Sequence, residues 1–351
     1  MLELHEPAGA LDALEAYLAE ELRPGLVADV YLGYRLGELL RREPWPAPLE
    51  PCRLPAVAAR VRPEGARVES TQMSYRLGEW EQTWTAEEHA AAVEEVRAAI
   101  RRGDVYQVNL VQHLAAPFRG DPRGLVAALE PLRPLHPRPL AGEGWTIVSA
   151  SPELFLGRRG DRLWCKPIKG TRPLGEDVDD SKDAAEHVMI VDLERNDLSR
   201  VCVPGTIRWP ELMVAEPLAG VEHLVSTVEG DARPDAGLAE ILGALFPGGS
   251  VTGAPKIAAV DLIAALEPVG RGASMGALGR VHGNGDLELA LTIRTFAVAG
   301  RQIHLWVGGG IVWDSDPQEE VAESLVKAAP LLDAIGAPLE RSPAATGAAR
   351  R

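Results

Sequence analysis

Apolar residues recur along this chain with two periods, and the switches between them mark its elements. Leu11, Leu14, Leu18 and Leu22 repeat at helical spacing, which predicts an amphipathic helix over residues 10–22. Pro44, Pro46, Pro48, Pro51 and Pro55 then predict a loop. A second helix opens at Thr85. Thr85 and Glu88 form a capping box, Val93, Val96 and Ile100 share one face, and Gly103 stops it. The following GDVYQVNLVQHL is β-branched and aromatic and reads as a strand, with Gln107 and Asn109 on one face. A buried amide has to be hydrogen-bonded, so either amide can equally be structural. Residues 120–142 are proline-rich, with a short helix near 125–129. Strand patterns resume at Trp145 and break at Ser151-Pro152, with Glu153 directly after the break.

The second half continues with strands over 206–214 and 223–228 and a helix over 235–245. FPGGSVTGAPK at 246–256 is a glycine-rich turn whose backbone N–H groups suit a carboxylate or phosphate. It lacks the Gly-Lys-Ser/Thr ending of a P-loop. Pro255 opens a helix over 256–266, which puts Thr252, Gly253 and Ala254 at the positive helix end. Two hairpin patterns follow, GRVHGNGDLELALTIRTFAVAG and RQIHLWVGGGIVWDS. Arg294 sits inside the first apolar run and demands an anionic partner. Gly308, Gly309 and Gly310 permit close approach of backbone to a ligand. Asp316, Pro317 and Glu319 form a helix start. On that helix Glu320, Glu323 and Lys327 share one face, although a surface Glu323–Lys327 pair is the plainer reading.

The stretch from Cys165 to Val201 carries the densest chemistry. Lys169 lies between Pro167 and Gly170, where a strand is expected to end and the backbone to turn. Asp183 and Glu186 are three apart and share a helical face. A lysine near paired carboxylates suits a site that holds a metal and an anionic substrate together. A solvated acidic helix accounts for the same residues. Two helices thus present acid pairs, and four acids in one site would repel unless a divalent ion lay among them. Oxygen-only ligands favour Mg²⁺ over Zn²⁺.

Composition narrows the field. A chain of 351 residues, 46% apolar and 25% charged, is ordinary globular material for one large domain or two smaller ones. With 36 basic and 51 acidic residues its net charge is −15, which argues against DNA or RNA as a partner. Cys52, Cys165 and Cys202 are widely spaced and give neither a metal pattern nor a disulfide framework, which suits a reducing, cytoplasmic setting. The N-terminal stretch has scattered acids and no basic region before an apolar core, so no signal peptide is expected. No apolar run is long enough to span a bilayer, and no membrane partner is expected.

SASPE at 149–153, PIKGTRP at 167–173, AEHVMIVDLERNDLSRV at 185–201, EHLVSTVEG at 222–230, PGGSVTGAPK at 247–256, LTIRT at 291–295 and VGGGIVWDSDPQEEVAE at 307–323 occur in one order. In that order they resemble the chorismate-utilising enzymes, which include anthranilate synthase component I, aminodeoxychorismate synthase component I, isochorismate synthase and salicylate synthase. The resemblance covers about residues 85–335. It implies an α+β fold of two large, mostly antiparallel sheets packed face to face with helices outside. It also implies a catalytic domain over 85–335 and a shortened N-terminal segment over 1–84 packing on it; the small, polar composition of the tail predicts disorder over 336–351.

The same resemblance assigns roles. Chorismate would sit in a cleft with Mg²⁺ on its ring carboxylate. Glu186 and Glu323 match the metal-binding glutamates, and Asp183 and Glu320 the acids that support them. Glu153 matches the general acid for the departing C4 hydroxyl. Arg294 and the backbone at Gly308, Gly309 and Gly310 match the carboxylate clamp. His223, Thr252 and Lys327 match further site positions. Gln107 stands where water-using members resemble one another in having a lysine base, which points to ammonia as nucleophile. Lys169 stands in PIKGT, where anthranilate synthases typically read PIAGT. The chain therefore looks closest to aminodeoxychorismate synthase component I, with ammonia from a glutamine amidotransferase partner. Anthranilate synthase component I and a non-catalytic chorismate-binding paralogue are the alternatives. The chain departs from the family pattern at Ser274, Arg280 and His113, and it shows no tryptophan-feedback motif.

Overall fold

The computed structural model describes residues 1–43, 46–66, 73–173, 181–218 and 221–337. Of the tail expected over 336–351, residues 338–351 lie outside them. Two antiparallel sheets dominate. The first has ten strands and runs Leu2–Leu4, Val57–Pro63, Leu26–Leu32, Ala277–His282, Leu287–Leu291, Leu154–Arg159, Arg162–Lys166, Val221–Asp231 and Ile168–Pro173, with Arg208–Leu218 also paired to Val221–Asp231. The second has eight and includes Gly253–Ala254, Gln107–Gly120, Gln302–Ile311, Thr295–Ala299, Trp145–Ser149 and Leu140–Gly142 along its path. Three strands of the N-terminal segment are thus built into the first sheet.

Strand alternation explains the layers. In Gln302–Ile311, Trp306 belongs to the core shared by the two sheets, together with side chains such as Val30, Leu156 and Leu289. Leu305 and Val307 point the other way, into a second core with Leu125 from the helix Gly124–Leu129 and Ala328, Leu331 and Leu332 from the helix Pro317–Ala334. The sheets therefore pack face to face, and these helices cover the outside of the second sheet.

The expected helix starts are present. Thr85 and Glu88 make both capping-box bonds at the helix Ala86–Arg102, and Gly103 ends it at φ 81°. The Asp316 side chain accepts from the backbone N–H groups of Gln318 and Glu319. Two expectations need correction. Lys169 does not end a strand; it lies in Ile168–Pro173, beside a bulge at Gly170, whose φ of 59° a Cβ would resist. Arg294 does not lie inside a strand. The chain leaves the first sheet after Leu291 and enters the second at Thr295, and Arg294 occupies the crossing with φ 50°.

Candidate active site

Two such crossings lie side by side, and they locate the site. The strand Trp145–Ser149 belongs to the second sheet and Leu154–Arg159 to the first, so Glu153 sits at one crossing as Arg294 sits at the other. The crossings are tied together: Ala150 N–H donates to the Arg294 carbonyl at 2.9 Å, and Leu291 N–H to the Glu153 carbonyl at 2.9 Å. Backbone that switches sheets cannot complete either ladder, which leaves a gap where side chains of both sheets can meet a ligand.

Glu153 is only 5% exposed. Ser250 Oγ donates to its Oε1 at 2.8 Å. Burial pushes its carboxyl up to about 7, against the opposing pull of Ser250, Lys169, the Ile168 backbone and Arg294. A buried carboxyl that keeps its proton near neutrality is equipped to act as an acid. Burial also pulls the Arg294 guanidinium down, and Glu153 counters it. His223 is buried, and burial followed by the Arg294 charge lowers its imidazole, so it stays neutral beside that cation.

Lys169 Nζ lies 3.7 Å from Glu186 Oε2. Gln107 is fully buried, and neither its Nε2 nor its Oε1 has a hydrogen-bond partner. An amide left so is costly unless a ligand engages it. A Cβ on Gly310 would collide with Gln107 Nε2 and stand 3.5 Å from Lys169 Nζ. One glycine therefore opens the space into which the lysine and the amide both reach.

The next residue along the strand gathers the third group. A Cβ on Gly309 would stand 3.2 Å from Lys327 Nζ, 3.3 Å from Glu320 Oε2 and 3.8 Å from Glu323 Oε1. Lys327 Nζ is 2.6 Å from Glu323 Oε1 and donates to the Gly308 carbonyl at 3.1 Å. Thr252 is fully buried, but its hydroxyl donates to the Gly248 carbonyl at 2.7 Å, within its own turn. The side chain of Asp183 lies outside the described residues.

Several neighbours escaped sequence reasoning. Ser250, in PGGSV, holds the acid. His187, pushed down to about 4 mainly by burial and then by Lys169, is 2.6 Å from Ser226 Oγ. Lys256 is buried against Asp197 at 2.5 Å and donates to the Leu245 carbonyl. The acids of LERND, Glu194 and Asp197, are buried; their i+4 and i+7 spacing from the apolar Ile190 was the available signal. Ser274 is buried and donates to the Thr292 carbonyl, Arg280 pairs with Glu288 at 3.0 Å, and His113 stacks with His304.

For a divalent ion, the donors at hand are carboxylate oxygens around positions that glycine keeps open, which is the chemistry a hard cation takes. Glu186 and Glu323 each face a lysine ammonium. Among the described residues, no three His, Cys, Asp or Glu side chains stand close enough to hold a metal on their own.

Fold and site together define an α+β protein in which a buried carboxyl, a lysine and a glycine-rich strand meet where the chain crosses between two sheets. Residues 49–333 match the family of chorismate binding enzymes. Anthranilate synthase component 1 of Streptomyces coelicolor is 38% identical over 317 residues, 86% of this chain and 59% of that protein. Aminodeoxychorismate synthase component 1 of Escherichia coli is 38% identical over 271 residues, 74% of this chain and 60% of that protein. The chain thus spans about 60% of the length of these relatives. Anthranilate synthase component I from Streptococcus pneumoniae superposes with a TM-score of 0.77 at 25% identity, over 92% of this chain and 85% of that one. The chain belongs to the chorismate-binding enzyme family. No helix among the described residues is long and apolar enough to cross a membrane.

Proposed function

We propose that this protein aminates chorismate at C4, giving 4-amino-4-deoxychorismate on the route to p-aminobenzoate and folate, with ammonia supplied by a glutamine amidotransferase partner. The observation that carries this reading is Lys169, an amine placed in the space beside Gln107 and Gly310 and within the field of the buried acid Glu153. The Lys169 amine adds to C2 of the ring. The double bonds shift, the C4–O bond breaks, and the oxygen leaves as water with the proton of Glu153. Ammonia then forms the C4–N bond, the double bonds shift back, and the C2–N bond to Lys169 breaks. Gln107 cannot deprotonate a water at neutral pH, so it disfavours the hydroxylated product and suits a nucleophile that needs no base. Arg294 and the N–H groups around Gly308, Gly309 and Gly310 orient the carboxylates.

Mg²⁺, held by Glu186 and Glu323 with Asp183 and Glu320 in support, would neutralise the ring carboxylate and fix its position. Relatives named anthranilate synthase are about as similar to this chain as those named aminodeoxychorismate synthase, so anthranilate formation is the competing reading. The two are separated by incubating the purified protein with chorismate, Mg²⁺ and an ammonium salt and resolving the products with and without a separate lyase. Aromatic product that appears only with the lyase supports the proposal; fluorescent anthranilate without it supports the competitor.

A further inference from the structure

A second buried carboxyl is held by the same turn as the first. Glu194, on the helix Ser181–Ser199, is 4% exposed. Gly249 N–H donates to its Oε1 at 3.2 Å, and its Oε2 has no hydrogen-bond partner. Gly249 and Ser250 are consecutive residues of the 3₁₀ turn Gly249–Val251. One turn thus grips both acids: its backbone N–H holds Glu194, and the next residue's hydroxyl holds Glu153.

The groups facing Glu194 explain its state. Asp197 is on its own helix, Lys256 on the helix Lys256–Leu266, Cys165 on the strand Arg162–Lys166, and Glu153 at the sheet crossing. Lys256 stands directly against Asp197 and is spent there. Burial first, then the charges of Asp197 and Glu153, push Glu194 up to about 7, against Lys256 and the Gly249 N–H. Glu153 in turn faces Ser250, Lys169, Arg294 and the Ile168 backbone. Two carboxyls in one dry region, neither with a cation to itself, cannot both ionise at the value either would show alone.

We propose that Glu194 is a positioning residue for Glu153: held by successive residues of one turn, the two carboxyls titrate as a pair, so that ionisation of either one holds the proton on the other and Glu153 gives up its proton only as the C4 oxygen departs. This rests on the reading of Glu153 as the proton donor. The proton moves from Glu153 to the leaving oxygen, and Glu194 neither touches the substrate nor gives up an atom. The residue acts by making the Glu153 anion harder to form outside the reaction.

The test uses the full chain labelled with ¹³C at glutamate carboxyls, titrated by NMR without substrate. In Glu194→Gln, which keeps the oxygen that Gly249 holds, the Glu153 midpoint is expected to fall by about one pH unit. The alkaline limb of kcat/KM should fall with it. By reciprocity, Glu153→Gln should lower the Glu194 midpoint by a similar amount, so the pair is tested even where one variant folds poorly. Midpoints that stay in place overturn the proposal. A change in melting temperature alone, the mark of a merely structural residue, also counts against it. The titration does not depend on which product forms, so an error in the product assignment leaves the coupled midpoints standing.

Discussion

Lys169 Nζ and Glu186 Oε2 stand 3.7 Å apart, with side chains 17% and 15% exposed. The pair joins the bulged strand Ile168–Pro173 to the helix Ser181–Ser199, and it sets an amine beside a carboxylate. If Glu186 also serves a divalent ion, Glu186→Gln should weaken Mg²⁺ binding by at least about tenfold. Calorimetric titration of Mg²⁺ into the protein with chorismate reads this directly. Chelation should abolish turnover in the unmodified protein, and unchanged affinity in the variant would remove Glu186 from the metal site.

If Glu153 is the proton donor of the proposed reaction, it sets the pH dependence. Its carboxyl is pushed up to about 7 by burial. A general acid works only while protonated, so kcat/KM should hold below pH 7 and drop about tenfold per unit well above it. Glu153→Gln should lower kcat by about 10²–10⁴-fold and abolish that limb. A pH–rate series on both proteins checks the point; an unaltered alkaline limb in the variant would assign the limb to another group.

The three glycines of Gln302–Ile311 should not respond alike to alanine. A Cβ on Gly308 would run into the Leu110 carbonyl of the paired strand, so Gly308→Ala should destabilise the fold. On Gly310 it would displace the Gln107 amide, so Gly310→Ala should cost activity more than stability. On Gly309 it would meet the ends of Lys327 and Glu320 at 3.2 and 3.3 Å, which can move aside. Urea unfolding and turnover, measured on all three variants, should rank Gly308 worst for stability and Gly310 ahead of Gly309 for lost activity.

Support for the cleft comes from a buried ion pair. Arg271 makes two bonds to Glu267, at 2.7 and 2.9 Å, and donates to the carbonyls of Val251 and Asn109. It thereby ties the turn that carries Ser250 to the strand that carries Gln107. Glu267→Gln leaves the guanidinium buried without its counter-charge and should cost about 3–5 kcal/mol. Urea denaturation measures it, and a loss below about 1 kcal/mol would mean that the carbonyls alone suffice.

Local signals were readable before any coordinates. Capping at Thr85 and Asp316, the hairpins ending at His282 and Ala299, and the shared face of Glu320, Glu323 and Lys327 follow from spacing and short-range chemistry, and the structure has them. The two-sheet fold came from the resemblance, because sheet membership depends on partners far away in the chain. Long-range geometry also hid the rest. Nothing in LALTIRTFAV shows that the chain changes sheets at Arg294. The two-residue strand Gly253–Ala254 pairs with Gln107 and Val108, too short a pairing for periodicity to register. Lys256 pairs with Asp197, which lies fifty-nine residues earlier in a helix, a contact that local spacing does not reveal.

The amine of Lys169 is the group on which the reaction assignment turns, and its removal is the most direct measurement. Lys169→Ala, assayed with chorismate, Mg²⁺ and ammonium and with products resolved by chromatography, should lose aminodeoxychorismate formation by a factor on the order of 10³ or more while its melting temperature and Mg²⁺ binding stay near those of the unmodified protein. Undiminished formation of that product by the folded variant would contradict the account.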